Sequence, residues 1–334
     1  MGHSKIKRLA VFLALVFLFP AQAAAVREVV PIGHTAGIRM KSEGVLVVRL
    51  DTVQTADGER CPARDAGVRE GDIIVSAGGT EVSSNAELQT ALKAAQGGAV
   101  ELSIKRGDET HSVQVTACTD RTGVYRLGIL ARDSMAGIGT MTYYDPESGA
   151  FGALGHGISD SDTGALVDID GGELYETQIL GIEKGQTGKP GVMSGVIYYG
   201  KGTKLGDVTE NTTEGIYGTV NRHFLDSLQA DAIPIGFRQD IQRGRAYIRS
   251  KVSGEVKDYE IEIQKVDYGS VQKNKGLVLK VVDEDLLNLT GGIVQGMSGS
   301  PIIQDGKLIG AVTHVFINDP TRGYGIFMEN MLGH

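Results

Sequence analysis

The sequence predicts a mainly β protein in two units, a small α+β unit followed by a larger β-rich one. Glycine is abundant, 47 residues against 8 prolines and no tryptophan, as a chain with many tight turns requires. In the second half, short β-prone runs alternate with Gly, Asp and Asn, and helical periodicity is scarce. In the first half, Leu88, Leu92 and Ala95 recur at helical spacing behind a Ser84-Asn85 cap. A chain of 334 residues is long enough for two domains after removal of a leader. Its 41% hydrophobic and 22% charged residues belong to an ordinary globular protein. A net charge of −8 argues against a phosphate-backbone partner, which clustered Lys and Arg would be needed to hold.

The N-terminus has the pattern of an export signal. Lys5, Lys7 and Arg8 form a basic region, residues 9–19 are apolar, and Ala21-Gln22-Ala23 fits a small-x-small cleavage site. Residues 1–23 therefore read as a signal peptide, with an uncleaved membrane anchor as the alternative, and residues 24–37 as a linker. The apolar core is short of the about 20 residues a spanning helix needs. The rest of the chain is expected across a membrane. Two cysteines, Cys61 and Cys118, do not make a framework; free thiols are expected, with a bridge as the second reading.

Residues 38–118 have a recognisable order. Gly44-Val45-Leu46-Val47-Val48-Arg49-Leu50 is a strand opened by a glycine. Pro62-Ala63-Arg64-Asp65-Ala66-Gly67-Val68 is a short helix ended by its glycine, and Glu70-Gly71-Asp72-Ile73-Ile74 turns into a strand. A helix follows over residues 86–95, then two alternating strands around Gly107-Asp108. This order resembles a PDZ domain in its permuted bacterial form. Such domains add a peptide as an extra strand along a sheet edge. The resemblance implies that Gly44, Val45, Leu46 and Val47 form the peptide-binding loop and strand, with the helix over 86–95 as the other wall; a spacer role is the alternative.

Residues 119–334 read as a barrel or sandwich of short strands, among them 140–144, 196–199, 246–250, 259–265 and 277–282. Pro301 to Val312 is a hairpin around Asp305-Gly306, a pair suited to a type I′ turn. Just before it stands Gly296-Met297-Ser298-Gly299-Ser300-Pro301. A serine between glycines can project its Oγ from a sharp turn beside free backbone N–H groups, as a nucleophile requires; an ordinary Gly/Ser turn is the competing reading. Gly191-Val192-Met193-Ser194-Gly195 repeats the Met-Ser-Gly core, but Ser194 lacks the glycine two positions earlier that Gly296 supplies. Of seven histidines, His156 closes a returning strand between two glycines and is the stronger candidate base. His314 lies in a strand, where a structural histidine is the commoner case.

Together with the leader and the PDZ-like unit, Gly152-Ala153-Leu154-Gly155-His156-Gly157 and Gly292 to Pro301 resemble the SpoIVB (stage IV sporulation protein B) serine peptidase family. Gly310-Ala311-Val312-Thr313-His314-Val315-Phe316 and the following Asn318-Asp319-Pro320 extend the match to the C-terminus. The resemblance implies a chymotrypsin-like double β-barrel peptidase with Ser298 as nucleophile, His156 as base and Asp283 as the acid. Gly296 and Ser298 N–H groups then form the oxyanion hole. Most chymotrypsin-like enzymes place the aspartate much further ahead of the serine; Asp285, Asp168 and Asp170 are alternatives, and a helix N-cap is the structural reading of Asp283. The resemblance further implies self-cleavage, and cleavage of an inhibitory partner of an intramembrane metalloprotease, in the intermembrane space of a developing forespore. No cofactor or metal is expected, since no His-Glu-x-x-His motif occurs. A PDZ-dependent binding protein with secondary or lost proteolysis is the alternative function.

Overall fold

The computed structural model describes residues 27–332 apart from 108, 161–163, 165 and 229. The expected signal segment lies outside the described residues, among which no helix is long and apolar enough to cross a membrane.

The expected helix runs over Asn85–Ala94, with Ser84 and Glu87 forming a reciprocal capping box. Leu88 and Leu92, one turn apart, are its buried face. They pack on the sheet of Ile73–Ala77, Ala99–Arg106 and Glu109–Thr116, whose inward residues include Ile74, Leu102 and Ile104. Asp72, 1% exposed, is held by both guanidinium arms of Arg106 at 2.7 and 2.8 Å, the two-pronged geometry that makes a buried carboxylate tolerable.

Two sixteen-residue strands, Thr35–Leu50 and Ile129–Tyr144, run through both units. In the first, residues 45–46 pair with Ile73 and Ile74 of the small unit, while residues 35–42 pair with 134–140 and with 169–176 of the β-rich unit. In the second, residues 129–132 pair with 46–50, and Leu127, Ile129 and Ala131 pack into the small unit's core. The two units thus share both strands and are continuous with each other. Within residues 24–37, Glu28–Pro31 is itself a strand, paired with Tyr143 and Tyr144 on one side and Ile233–Pro234 on the other.

Six strands close a first ring: Thr35–Leu50, Ile129–Tyr144, Ala150–Ala153, Gly215–Val220, Lys204–Thr212 and Ile169–Glu183, which returns to Thr35–Leu50. Its core holds Ile38, Met40, Met141, Phe151, Leu174, Leu205 and Ile216. A second closed barrel takes Gly244–Ser250, Lys257–Val266, Leu277–Val281, Asp319–Phe327, Lys307–Phe316 and Pro301–Gln304 around Ile248, Ile261, Leu279, Ile302 and Val312. Closure removes the exposed edges that open sheets must protect. The hairpin turn has φ of 50° at Asp305 and 75° at Gly306, both left-handed as type I′ demands. The fold is the expected double β-barrel behind a PDZ unit.

Candidate active site

Ser298 sits on a turn with left-handed glycines on both sides. Helix Glu284–Thr290 ends at Gly291 (φ 74°), a two-residue strand Val294–Gln295 follows, and Gly296 (φ 104°) and Gly299 (φ 94°) bracket the turn. A Cβ on Gly299 would lie 2.0 Å from Thr140 O and 2.5 Å from Leu154 N, so the first barrel leaves no room for any side chain there. The N–H groups of Met297, Gly299 and Ser300 donate to Val294 O, Val312 O and Met297 O at 3.0, 2.7 and 2.9 Å. Among the described residues neither Gly296 N–H nor Ser298 N–H has an acceptor in a turn or loop. Two unclaimed donors in one turn are what an oxyanion hole is made of. The Ser298 hydroxyl itself donates to Thr313 O at 2.7 Å.

His156 reaches the same cleft from the other barrel. Strand Ala150–Ala153 ends in two successive left-handed residues, Leu154 (φ 69°) and Gly155 (φ 70°), which turn the chain before the histidine. A non-glycine residue in that conformation is strained, and strain of this kind gathers at functional sites. His156 Nδ1 lies 2.8 Å from Gly157 O, so Nδ1 carries the proton and Nε2 keeps its lone pair. Burial pushes its pKa down, opposed by the Gly157 hydrogen bond. The ring of His314 stands 5.0 Å from that of His156. Burial first, then the charges of His156 and Lys275, hold His314 down to about 4. The cleft, about 590 Å³, contains Ser298, Gly296, both histidines and an apolar wall including Ile38, Met135 and Ile293. A larger hollow of about 740 Å³, around His34 and Lys251, shares no residue with it.

The rival serine is excluded by its setting: Ser194 is exposed in strand Gly191–Ile197, in register with Gly181. The strand's Met193 lies under the Gly296 turn instead.

The expected acid needs correcting. Asp283 Oδ1 accepts Leu286 N–H at 2.9 Å and Oδ2 accepts Glu260 N–H at 3.2 Å. It caps helix Glu284–Thr290, and both oxygens are turned to backbone donors rather than to His156. Asp285, Asp168 and Asp170 are exposed. Among the described residues no carboxylate acts on either histidine; the Gly157 carbonyl fixes the His156 tautomer.

The expected peptide-binding loop is also corrected. Val45 and Leu46 pair with Ile74 and Ile73 on one side, and Leu46 and Val47 pair with Arg132 and Ala131 on the other. Gly44 has no space either, since a Cβ there would lie 2.4 Å from Ile74 O. With both edges taken at Leu46 and Val47, the expected strand has no continuous free edge to offer a peptide. Facing helix Asn85–Ala94 is instead the stretch 129–131, across a cleft of about 500 Å³ that Leu88, Gln89, Ile129 and Ala131 line. Cys61 and Cys118 are buried and free, as expected.

Two barrels with a serine turn and a histidine in one cleft between them, behind a PDZ-like unit, have the architecture of the PDZ-containing serine peptidase class. Residues 123–332 match the SpoIVB peptidase S55 family and residues 36–117 match the PDZ domain family. The chain belongs to the SpoIVB peptidase S55 family. Serine protease HTRA1 of Xenopus tropicalis is 44% identical over 55 residues, 16% of this chain; the chain spans 12% of that relative's length. The crystal structure of the PDZ domain of an SdrC-like protein from Listeria monocytogenes is 24% identical, covering 27% of this chain and 87% of its own, with a TM-score of 0.22.

Proposed function

We propose that the chain is an exported serine endopeptidase whose nucleophile is Ser298 and whose base is His156. The observation that carries this reading is the Ser298 turn, which leaves Gly296 and Ser298 N–H unclaimed in the cleft that His156 enters. As substrate binds, the Ser298 hydroxyl turns from Thr313 O to His156 Nε2, which takes its proton as Oγ attacks the peptide carbonyl. The two N–H groups hold the oxyanion, the imidazolium gives its proton to the leaving amine, and water releases the acyl group by the reverse path. Gly157 O does the orienting that a carboxylate does in a Ser-His-Asp triad. Among the described residues the cleft is lined by no Asp, Glu, Lys or Arg, so apolar residues are favoured beside the scissile bond.

Family membership supports a role in sporulation signalling. In this reading the enzyme is exported into the intermembrane space of the forespore and cleaves itself near its N-terminus. It then cleaves the inhibitory, membrane-bound regulatory subunit of an intramembrane metalloprotease complex, which leads to activation of a late sigma factor. The basic and apolar residues 5–19 support export, and the PDZ unit supports recruitment of peptide segments. The test pairs a fluorophosphonate probe with N-terminal sequencing of wild-type and Ser298→Ala protein recovered from cells. Wild type is expected to be labelled and self-processed, the variant folded, unlabelled and unprocessed; equal processing in both overturns the reading.

A second reading, a PDZ-dependent signalling protein with secondary proteolysis, is favoured by the lack of a carboxylate acting on His156. It predicts signalling that survives in Ser298→Ala, which the first reading forbids.

A further inference from the structure

We propose that Thr140 and Thr142 are positioning residues that hold the oxyanion-binding turn in its working shape. The inference rests on the peptidase reading above and extends it to residues outside the nucleophile turn and the histidine.

Both threonines belong to strand Ile129–Tyr144 of the first barrel, whereas the turn belongs to the second. The Thr140 hydroxyl donates to Gly296 O at 2.8 Å and its N–H donates to Ser298 O at 3.0 Å. The Thr142 hydroxyl donates to Gly299 O at 2.8 Å. One foreign strand therefore binds the carbonyls of Gly296, Ser298 and Gly299 and makes no bond to the N–H groups of Gly296 and Ser298. The register follows from the strand: residues 140 and 142 share a face, while Met141 between them packs in the first barrel's core.

The turn needs this support because glycines stand on both sides of Ser298. Glycine at positive φ is conformationally permissive, so Gly296 and Gly299 have no side chain to pin their peptide planes, and only the buried Met297 between them anchors the turn from within. An oxyanion hole works only when its donors converge before the charge develops. Binding the carbonyls of Gly296 and Ser298 fixes the peptide planes that follow these two residues, and so anchors the Cα atoms next to the donor N–H groups. Threonine suits the task, because its branched Cβ restricts χ1 and so the hydroxyl direction. At 1% and 0% exposure the two hydroxyls have no competing water.

The experiment is fluorophosphonate labelling of the full chain, resolved into the maximal labelling rate and the probe concentration that gives half of it. Thr140→Val is expected to lower the maximal rate on the order of 100-fold, as small misplacements of a catalytic group do. The half-saturating concentration should stay unchanged, and Thr140→Ser, which restores a hydroxyl donor, should recover most of the rate. Thr142→Val should act in the same direction but less. A Thr140→Val protein that labels at the wild-type maximal rate overturns the proposal, as does a Thr140→Ser protein no faster than Thr140→Val. If Thr140→Val does not fold, Thr140→Cys, with its weak S–H donor, must show the same fall in maximal rate at unchanged half-saturation; a wild-type rate in that variant overturns the proposal. An unlabelled wild type overturns the peptidase reading itself, whereas a labelled wild type with an indifferent Thr140→Val overturns this proposal alone.

Discussion

Both carboxylate oxygens of Asp283 are occupied, one by Leu286 N–H and one by Glu260 N–H. The first bond caps a helix and the second ties that helix to strand Lys257–Val266, so the residue fixes the helix that leads into the Ser298 turn. Asp283→Ala is expected to cost about 1 kcal/mol, the usual price of a lost N-cap, whereas Asp283→Asn, itself a good cap, should cost only a fraction of that. Fluorophosphonate labelling of the folded fraction should be the same in both variants as in wild type. A stable Asp283→Asn protein that has lost labelling would restore Asp283 to the catalytic machinery. At His156 the corresponding bond comes from the neighbouring Gly157 carbonyl, a partner present in any sequence and so invisible to a search for acids.

The two long strands are the elements on which the molecule turns. Thr35–Leu50 and Ile129–Tyr144 are paired with each other through the PDZ unit and the first barrel. Ile129–Tyr144 then reaches the second barrel through Thr140 and Thr142. Two strands that each run through both units couple the stability of one unit to that of the other. Leu102→Ala, in the PDZ core far from Ser298 in sequence, should therefore destabilise by about 2–5 kcal/mol and lower the unfolding midpoint of both units together. Reaction of the buried Cys61 and Cys118 thiols, both in the small unit, with a thiol reagent and loss of fluorophosphonate labelling, followed along one urea titration, provide the check. Separate midpoints for the two signals would show that the units unfold independently. The same pairing explains why Leu46 and Val47 are closed to peptide: the stretch 129–132 already lies along residues 46–50.

For the whole molecule, the barrel interface is a medium that disfavours charge. His34 and His314 are held down to about 4 by burial and, secondarily, by nearby positive charge, and His156 is pushed down as well. The unfolded chain takes up protons on these histidines near 6.5, the folded one only at lower pH. Their contribution to stability is thus complete above pH 6.5, declines as pH falls from there, and is lost for His34 and His314 below about 4. Urea midpoints should fall between pH 7 and pH 5, and His314→Phe, which keeps a ring without titrating, should flatten the fall; an identical slope in that variant would remove His314 from the account. Because His156 stays neutral below its ordinary range, labelling should persist to lower pH than a solvent-exposed histidine base allows.

Much of this protein is legible in local pattern. Ser84 and Glu87 announce the capped helix, Asp305-Gly306 the hairpin, and Gly296-Met297-Ser298-Gly299 the turn, because each depends on neighbours within a few residues. His156 was legible for the same reason, a histidine at a strand end between glycines. Alternatives among the acids, the free edge of the PDZ unit and the support of the oxyanion turn were decided only by tertiary structure. Asp283 is compatible by type with both a cap and a triad, and only the positions of Leu286 and Glu260 choose between them. Thr140 lies 156 residues from Gly296, a hydrogen bond that no local period encodes. Periodicity reports which face of a strand is buried; which other strand lies along its edge depends on how two barrels close around one shared pair of strands.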